Sequence, residues 1–253
     1  MESPSPTEVE LESRLRQQEV VAELGQRALD TADLDRLIDD AAAAVANALS
    51  AEYCGVFEES WGGDAASLRE GVGWRSGVVG SATVPADRES LVGVTLRTDD
   101  PVIVEDRRSD GAVFEAELFA GHDVTSGITV AVGSEDEPWG ALGVYSSDRR
   151  TFSERDATFL RSVANVIAGA IDRTEKDRRL REREARLERY TEYTDGILDA
   201  VDDVFYVVDE TGDFQRWNET LNAVTGLHRR GDRVDAPAGV HRRGGPRANR
   251  HGD

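Results

Sequence analysis

The chain carries one thiol and, before residue 227, one imidazole. Cys54, in "AEYCGVFEE", is the only cysteine. It offers a nucleophile for chromophore attachment or for thiol redox chemistry, but a sulfenic acid there would have no resolving thiol in the chain. An intrachain disulfide and a cysteine-based zinc cluster are excluded on the same count. The plainer reading of a cysteine in mid-strand is a small buried core residue. His122, in "AGHDV", could line a pocket or be an ordinary loop histidine, and no second histidine lies near it to complete a mononuclear metal site. Glu115 and Glu117 read as a solvated face rather than a ligand pair. Arg107 and Arg108 could meet an anion, although exposed loop charges fit the same pattern.

Other chemistries lack their residues. "GWRSGVVGS" and "WGG" are rich in glycine but have no P-loop pattern and no lysine to reach a phosphate. There is no GxSxG elbow, no kinase phosphoacceptor block and no ATP-binding glycine box. Lys176 is the only lysine, against 29 arginines. Thirty basic against 50 acidic residues give a net charge of −20, which repels phosphate backbones, so nucleic acid is not expected as a partner of this chain. The basic "DRRLREREAR" alternates with glutamates at i,i+4 distances and reads as a salt-bridged helix face. Acidic residues spread over every segment, with almost no lysine, are similar to the composition of proteins from salt-loving archaea. No apolar stretch approaches the roughly 18 residues of a bilayer span. "MESPSPTEVELESRL" lacks a signal-peptide pattern. The expected location is cytoplasmic, with no membrane partner.

The elements that must hold these residues follow from hydrophobic period. Leu11, Leu15, Val20, Val21, Leu24 and Leu29 fall at helical spacing, and a second helix capped by Asp33 carries Leu34, Leu37, Ile38, Ala41, Val45, Ala48 and Leu49. About five strands follow, at 51–60, 67–74, 100–106, 125–134 and 139–147, the last two joined by the turn "EDEP". A short helix and loop is expected within 111–124. A long helix starts at "TFSERD", with Ser153 as N-cap and Glu154 and Asp156 in its first turn. Phe159, Leu160, Val163, Val166, Ile167, Ala170 and Ile171 form its packing stripe. Beyond Arg173 the stripe narrows to Leu180, Leu187, Thr194 and Val201, with Glu184, Thr191 and Leu198 beside it. That seven-residue seam suits pairing with another helix, or else a solvated linker. From Ser153 to Ala200 the helix would span about 70 Å.

The chain from "RTDDPVIVEDRRSD" (97–110) through "GITVAVGSEDEPWGALGVYSSDRRTFSERDATFLRSVANVIAGAIDR" (127–173) resembles the GAF domain of prokaryotic sensor histidine kinases. The likeness covers about 15–173. It implies an α+β fold: an antiparallel sheet with helices packed on one face, a ligand pocket on the other and a long C-terminal signalling helix. It also places Phe114, Phe119 and His122 where a lid sits in this family, as pocket candidates. His122 could then ligate a haem iron, as in some GAF oxygen sensors, and plain core packing is the alternative for all three. Cyclic-nucleotide-binding GAF motifs include a lysine that is missing here, and the cofactor is left unknown. "ILDAVDDVFYVVDETGDFQRWNETLNAVTG" resembles the start of a PAS domain, of which only an incomplete hairpin is expected.

The expected organisation is a tail (1–14), a GAF domain (15–173), a linker or coiled-coil signalling helix (174–200), a truncated PAS start (201–226) and a basic disordered tail (227–253). The change of character at 226 fits a reading-frame shift or a natural truncation, which resequencing across codon 226 separates. The functional expectation is a non-catalytic sensory module, a two-component sensor kinase fragment that binds a small ligand and is a homodimer through its C-terminal helix. Alternatives are a GAF-fold enzyme such as a free methionine sulfoxide reductase, a transcriptional regulator's input domain like that of bacterio-opsin activator-type proteins, and a dimerisation scaffold with an empty pocket.

Overall fold

The structure is a computed structural model and describes residues 6–31, 33–60, 62–108, 116–134, 137–211 and 213–225. The chain divides into two compact units, Met1–Arg178 and Arg179–Asp253.

The first unit is α+β. Helices α1 (Pro6–Asp30) and α2 (Leu34–Leu49) precede strands β1 (Tyr53–Glu59) and β2 (Ala65–Val72). Strand β3 (Thr83–Pro85), the one-turn helix α3 (Leu91–Thr95), β4 (Val102–Val104) and the one-turn α4 (Glu117–Gly121) follow. Strands β5 (Ser126–Gly133) and β6 (Pro138–Ser146) then lead into α5 (Glu154–Asp199). The six strands form one antiparallel sheet in the order β3-β2-β1-β6-β5-β4.

Sequence alternation sets the two faces. Cys54 and Val56 of β1, Ile128, Val130 and Val132 of β5, and Leu142 and Val144 of β6 pack against α1, α2 and the first part of α5. Ala41, Ala42, Val45, Ala46 and Ala48 let α2 lie close to the sheet, and all five are buried. Phe57, Ala66, Leu68, Ala141 and Tyr145 point to the other face. Both central strands are thus buried on both sides, which near-continuous apolar runs require.

The caps match expectation. The Asp33 carboxylate accepts from Arg36 N–H at 3.1 Å. Ser153 and Asp156 make a reciprocal box: Asp156 N–H donates to Ser153 Oγ (3.2 Å) and Ser153 N–H to Asp156 Oδ2 (3.0 Å). Helix α5 runs unbroken for 46 residues.

Three details differ from the sequence reading. The sheet has a sixth strand, β3, too short for periodicity to reveal. Helix α3 was not foreseen: its five residues hold one turn, and Ser90 Oγ caps it by accepting from Gly93 N–H at 3.1 Å. The apolar residues of α1 do not share one side, because Leu11, Leu15 and Leu29 are exposed while Leu24 and Ala28 are buried.

The second unit holds the end of α5, the two-stranded sheet of β7 (Tyr206–Val208) and β8 (Phe214–Trp217), and α6 (Glu219–Thr225). Asn218 is fully buried and fastens the hairpin to the end of α5. Its amide donates to Leu198, Val201 and Asp203 carbonyls, and its Oδ1 accepts from Phe205 N–H. In the turn, hydrogen bonds from the Thr211 hydroxyl, Asp213 N–H and the Gln215 amide hold the Asp209 carboxyl well below the usual carboxylate range. Val204, Phe205, Tyr206, Val207 and Val208 are all exposed. Residues 227–253, where a basic disordered tail was expected, lie outside the described residues, as does residue 226.

Candidate functional site

The face of the sheet turned away from α1, α2 and α5 is floored by backbone. Gly71, Gly55 and Gly143 sit side by side on β2, β1 and β6, with Thr129 of β5 next in the row. A Cβ on Gly55 would lie 2.9 Å from the Phe57 ring, one on Gly71 2.8 Å from Trp74 Nε1, and one on Gly143 would strike the Tyr145 hydroxyl. The missing side chains let the Phe57, Trp74 and Tyr145 rings come close to the strand backbone.

Above this row the rings form a continuous cluster. Phe119 lies 5.0 Å from Tyr145, 6.2 Å from Phe57 and 6.3 Å from Trp74, centroid to centroid. Trp74 lies 5.0 Å from Tyr53 and 5.1 Å from His122, and its indole N–H donates to Cys54 O at 2.8 Å. Such offset and edge contacts each contribute about 0.5–1.5 kcal/mol beyond area burial. Leu91, Val92 and Leu96 in and beside α3, and Leu118 and Val124 in and beside α4, complete the cover. Below α3 the buried Thr95 and Thr129 hydroxyls meet at 2.5 Å, and Thr95 also donates to Leu91 O.

His122 latches the cover. Its Nε2 accepts from Arg75 N–H at 3.0 Å, so the ring is the neutral tautomer whose Nδ1–H donates to Leu118 O at 2.8 Å. The Tyr53 hydroxyl donates to the His122 carbonyl at 3.2 Å. Both ring nitrogens are therefore occupied, and iron ligation at Nε2 would require breaking the bond from Arg75. Phe119 and His122 thus stand in one cluster, while Phe114 lies outside the described residues, as does Glu115. Arg97 is committed to the fold, donating to the Ala86 and Gly93 carbonyls.

Cys54 is on the opposite side of the sheet and fully buried, and burial pushes its thiol up to about 12. Burial also raises Tyr145 well above the ordinary phenol value. Among the described residues no group of three or more His, Cys, Asp or Glu is placed to hold a metal ion. Also among them, no helix is long and apolar enough to cross a membrane.

The sequence reading missed Tyr53, Phe57, Trp74, Tyr145, Thr95 and Thr129. The signal was present for the strand residues: Tyr53 and Phe57 alternate with Cys54 and Val56. Nothing local in "GVGWRSG" brings Trp74 back over β1.

This architecture has known counterparts. The family description that matches is the GAF domain, over residues 33–171. The chain belongs to the GAF family. Among solved structures, the GAF domain from a phosphoenolpyruvate-protein phosphotransferase of Coxiella burnetii is 17% identical, with 64% of this chain and 96% of that chain covered and a TM-score of 0.58. The free methionine-R-sulfoxide reductase from Neisseria meningitidis, in complex with its substrate, is 18% identical over 70% and 97%, with a TM-score of 0.56. A phycoerythrobilin-bound GAF domain from a cyanobacterial phytochrome is 18% identical over 64% and 97%, with a TM-score of 0.53. These likenesses establish a shared fold. No curated protein sequence matches the chain.

Proposed function

We propose that the chain is the input part of a signal-transduction protein, non-catalytic by itself. Its GAF domain, taken as residues 15–173, binds a small ligand or cofactor, and paired α5 helices of a homodimer carry the signal onward through residues 174–200. The observation that carries this reading is the aromatic cluster on the sheet face away from the long helices, covered by two one-turn helices and latched by His122. Covers held by a few hydrogen bonds are elements that a ligand can bias between two states. Phe119 and His122, with Phe114, are the proposed contacts. The groups gathered there are apolar or neutral, which favours an uncharged, flat ligand over a phosphate ester.

Helix pairing is supported by exposed Leu180, Leu187, Tyr190 and Ile197 on the second part of α5. We read residues 201–226 as the start of a PAS domain and the acidic, lysine-poor composition as that of a halophilic archaeon's cytoplasmic sensor kinase. A non-catalytic role is supported by Cys54, whose buried thiol faces α1, α2 and α5 and gives no thiolate for sulfoxide reduction.

Native mass spectrometry of protein purified in concentrated KCl tests the sensory reading. A retained small molecule, lost in Phe119→Ala, is expected. Protein that carries no adduct, and whose melting temperature no added aromatic compound raises, would overturn it. Turnover of free methionine sulfoxide would overturn the non-catalytic part alone.

A further inference from the structure

A cavity of about 300 Å³ lies at the edge of the sheet, outside the ring cluster. It is lined by residues 96–99, which leave α3, by Val130, Ala131 and Gly133 of β5, and by Arg161 and Asn165 of α5. Two features make it a site. The first is main chain. Strand β4 pairs with β5 over Gly127–Thr129, and β5 runs on to Gly133 with no strand on that side among the described residues. Alternate N–H and C=O groups there point outward and are open to a ligand.

The second feature is charge. Arg97 and Arg161 are the cations of the lining, against one carboxylate, that of Asp99. Both hold main-chain carbonyls, and among the described residues neither makes an ion pair. Arg97 uses Nη1 alone, donating to Ala86 O at 3.1 Å and Gly93 O at 2.6 Å. Arg161 Nη2 donates to Asp99 O at 3.2 Å. A guanidinium carries donors on three nitrogens, so Nε and one Nη of each arginine remain for another acceptor. In a chain with 50 acidic residues, two neighbouring cations without a carboxylate partner point to an anion from outside.

We propose that this cavity binds a small organic monocarboxylate. A planar carboxylate accepts two parallel bonds from a guanidinium fork. Two arginines less one aspartate give the lining a charge of +1, which matches a single negative charge and leaves a phosphate dianion undercompensated on an acidic protein. Leu96, Val130 and Pro138 also line the cavity and suit a short apolar body. Its volume is at the lower end of the range for small-molecule sites. The site is distinct from the ring cluster and does not rest on ligand binding there. Its position still bears on signalling. Arg161 belongs to α5 and Asp99 to the segment that leaves α3, so a carboxylate held by Arg97 and Arg161 ties the cover to the helix.

Calorimetric titration of the full chain with isovalerate tests the proposal. It is run at the lowest KCl concentration that preserves the folded circular dichroism spectrum, because chloride competes for the guanidinium groups. Saturable binding in the millimolar range or tighter is expected. Isovaleramide has the same shape without the charge and should bind at least about tenfold more weakly. Arg161→Gln should lose a similar factor for isovalerate, and so should Arg161→Lys, because an ammonium lacks the fork. Asn165→Asp puts a carboxylate into the cavity while leaving the Arg161–Asp99 bond in place, and should abolish binding; it decides the matter if Arg161→Gln fails to fold. No saturation by isovalerate in the millimolar range would overturn the proposal, as would equal binding of the amide or tighter binding of inorganic phosphate. So would an affinity that falls in His122→Phe but not in Arg161→Gln or Asn165→Asp, which would put isovalerate at the ring cluster.

Discussion

Replacing Phe119 by alanine removes the ring that joins the cover to the sheet. Phe119 is 1% exposed, and its ring touches those of Tyr145, Phe57 and Trp74. Truncating a buried phenylalanine costs about 3–5 kcal/mol, from lost transfer energy and from the space left behind. Three aromatic partners, each contributing about 0.5–1.5 kcal/mol, put this site in the upper part of that range. For a domain of this size each kcal/mol lowers the melting temperature by about 2–4 °C, so a cost of about 4–5 kcal/mol implies a fall of roughly 8–20 °C. The assay is thermal unfolding of the full chain in concentrated KCl, read by near-ultraviolet circular dichroism because Trp74 and Tyr145 are in the same cluster. A cavity ringed by aromatic groups should also accept a small apolar ring. Indole at 100 times its dissociation constant would return about 2.7 kcal/mol to Phe119→Ala. A fall of under 2 °C would refute a tightly packed second face. A large fall without rescue by indole would mean that the site collapses instead of opening.

Other perturbations address the same architecture. His122→Phe keeps a ring but loses the bonds to Arg75 N–H and Leu118 O, and should cost about 1–3 kcal/mol in denaturant unfolding. Native Cys54 should be inert to a thiol reagent at pH 8 and react only at the rate of global opening; rapid labelling would contradict its burial. Its thiol binds a proton more tightly in the folded state, with a value of about 12 against 9.0 unfolded. Stability from this group is therefore complete below pH 9 and falls by about 1.4 kcal/mol per pH unit as the pH rises towards 12. Cys54→Ser should flatten that alkaline limb, leaving the part due to Tyr145. Raising KCl from physiological to molar concentration shortens the screening length from about 8 Å to about 3 Å, so a chain of net charge −20 should melt at a higher temperature in the concentrated salt.

Much of the framework was legible because it rests on local rules. Asp33 and Ser153 cap helices wherever a helix begins beside them, and the alternation in "YCGVF" and "ALGVY" marks strands with two distinct faces. The boundaries that failed were short elements held by tertiary contacts. Strand β3 has three residues and exists by pairing with β2, and α3 is a single turn, below any periodic signal; the equally short α4 falls within 111–124, where a short helix was expected. Of the pocket candidates, Phe119 and His122 do meet, but their partners come from β1, β6 and the loop after β2, and spacing along the chain says nothing about those encounters.

The amino-acid order by itself determined a run of strands with helices before and after it, a single thiol set in a core strand, and a charged helix with a narrow apolar seam; the antiparallel α+β sheet was what the family resemblance implied. Period, capping and composition act over a few residues and need no partner. Tertiary structure alone decided that Gly71, Gly55 and Gly143 align across three strands and that rings from four elements lie over them. It also decided that the leucines of α1 divide between an inner and an outer side. Those outcomes depend on strand register and on how a helix is rotated against its sheet, both fixed by packing between segments distant in the chain.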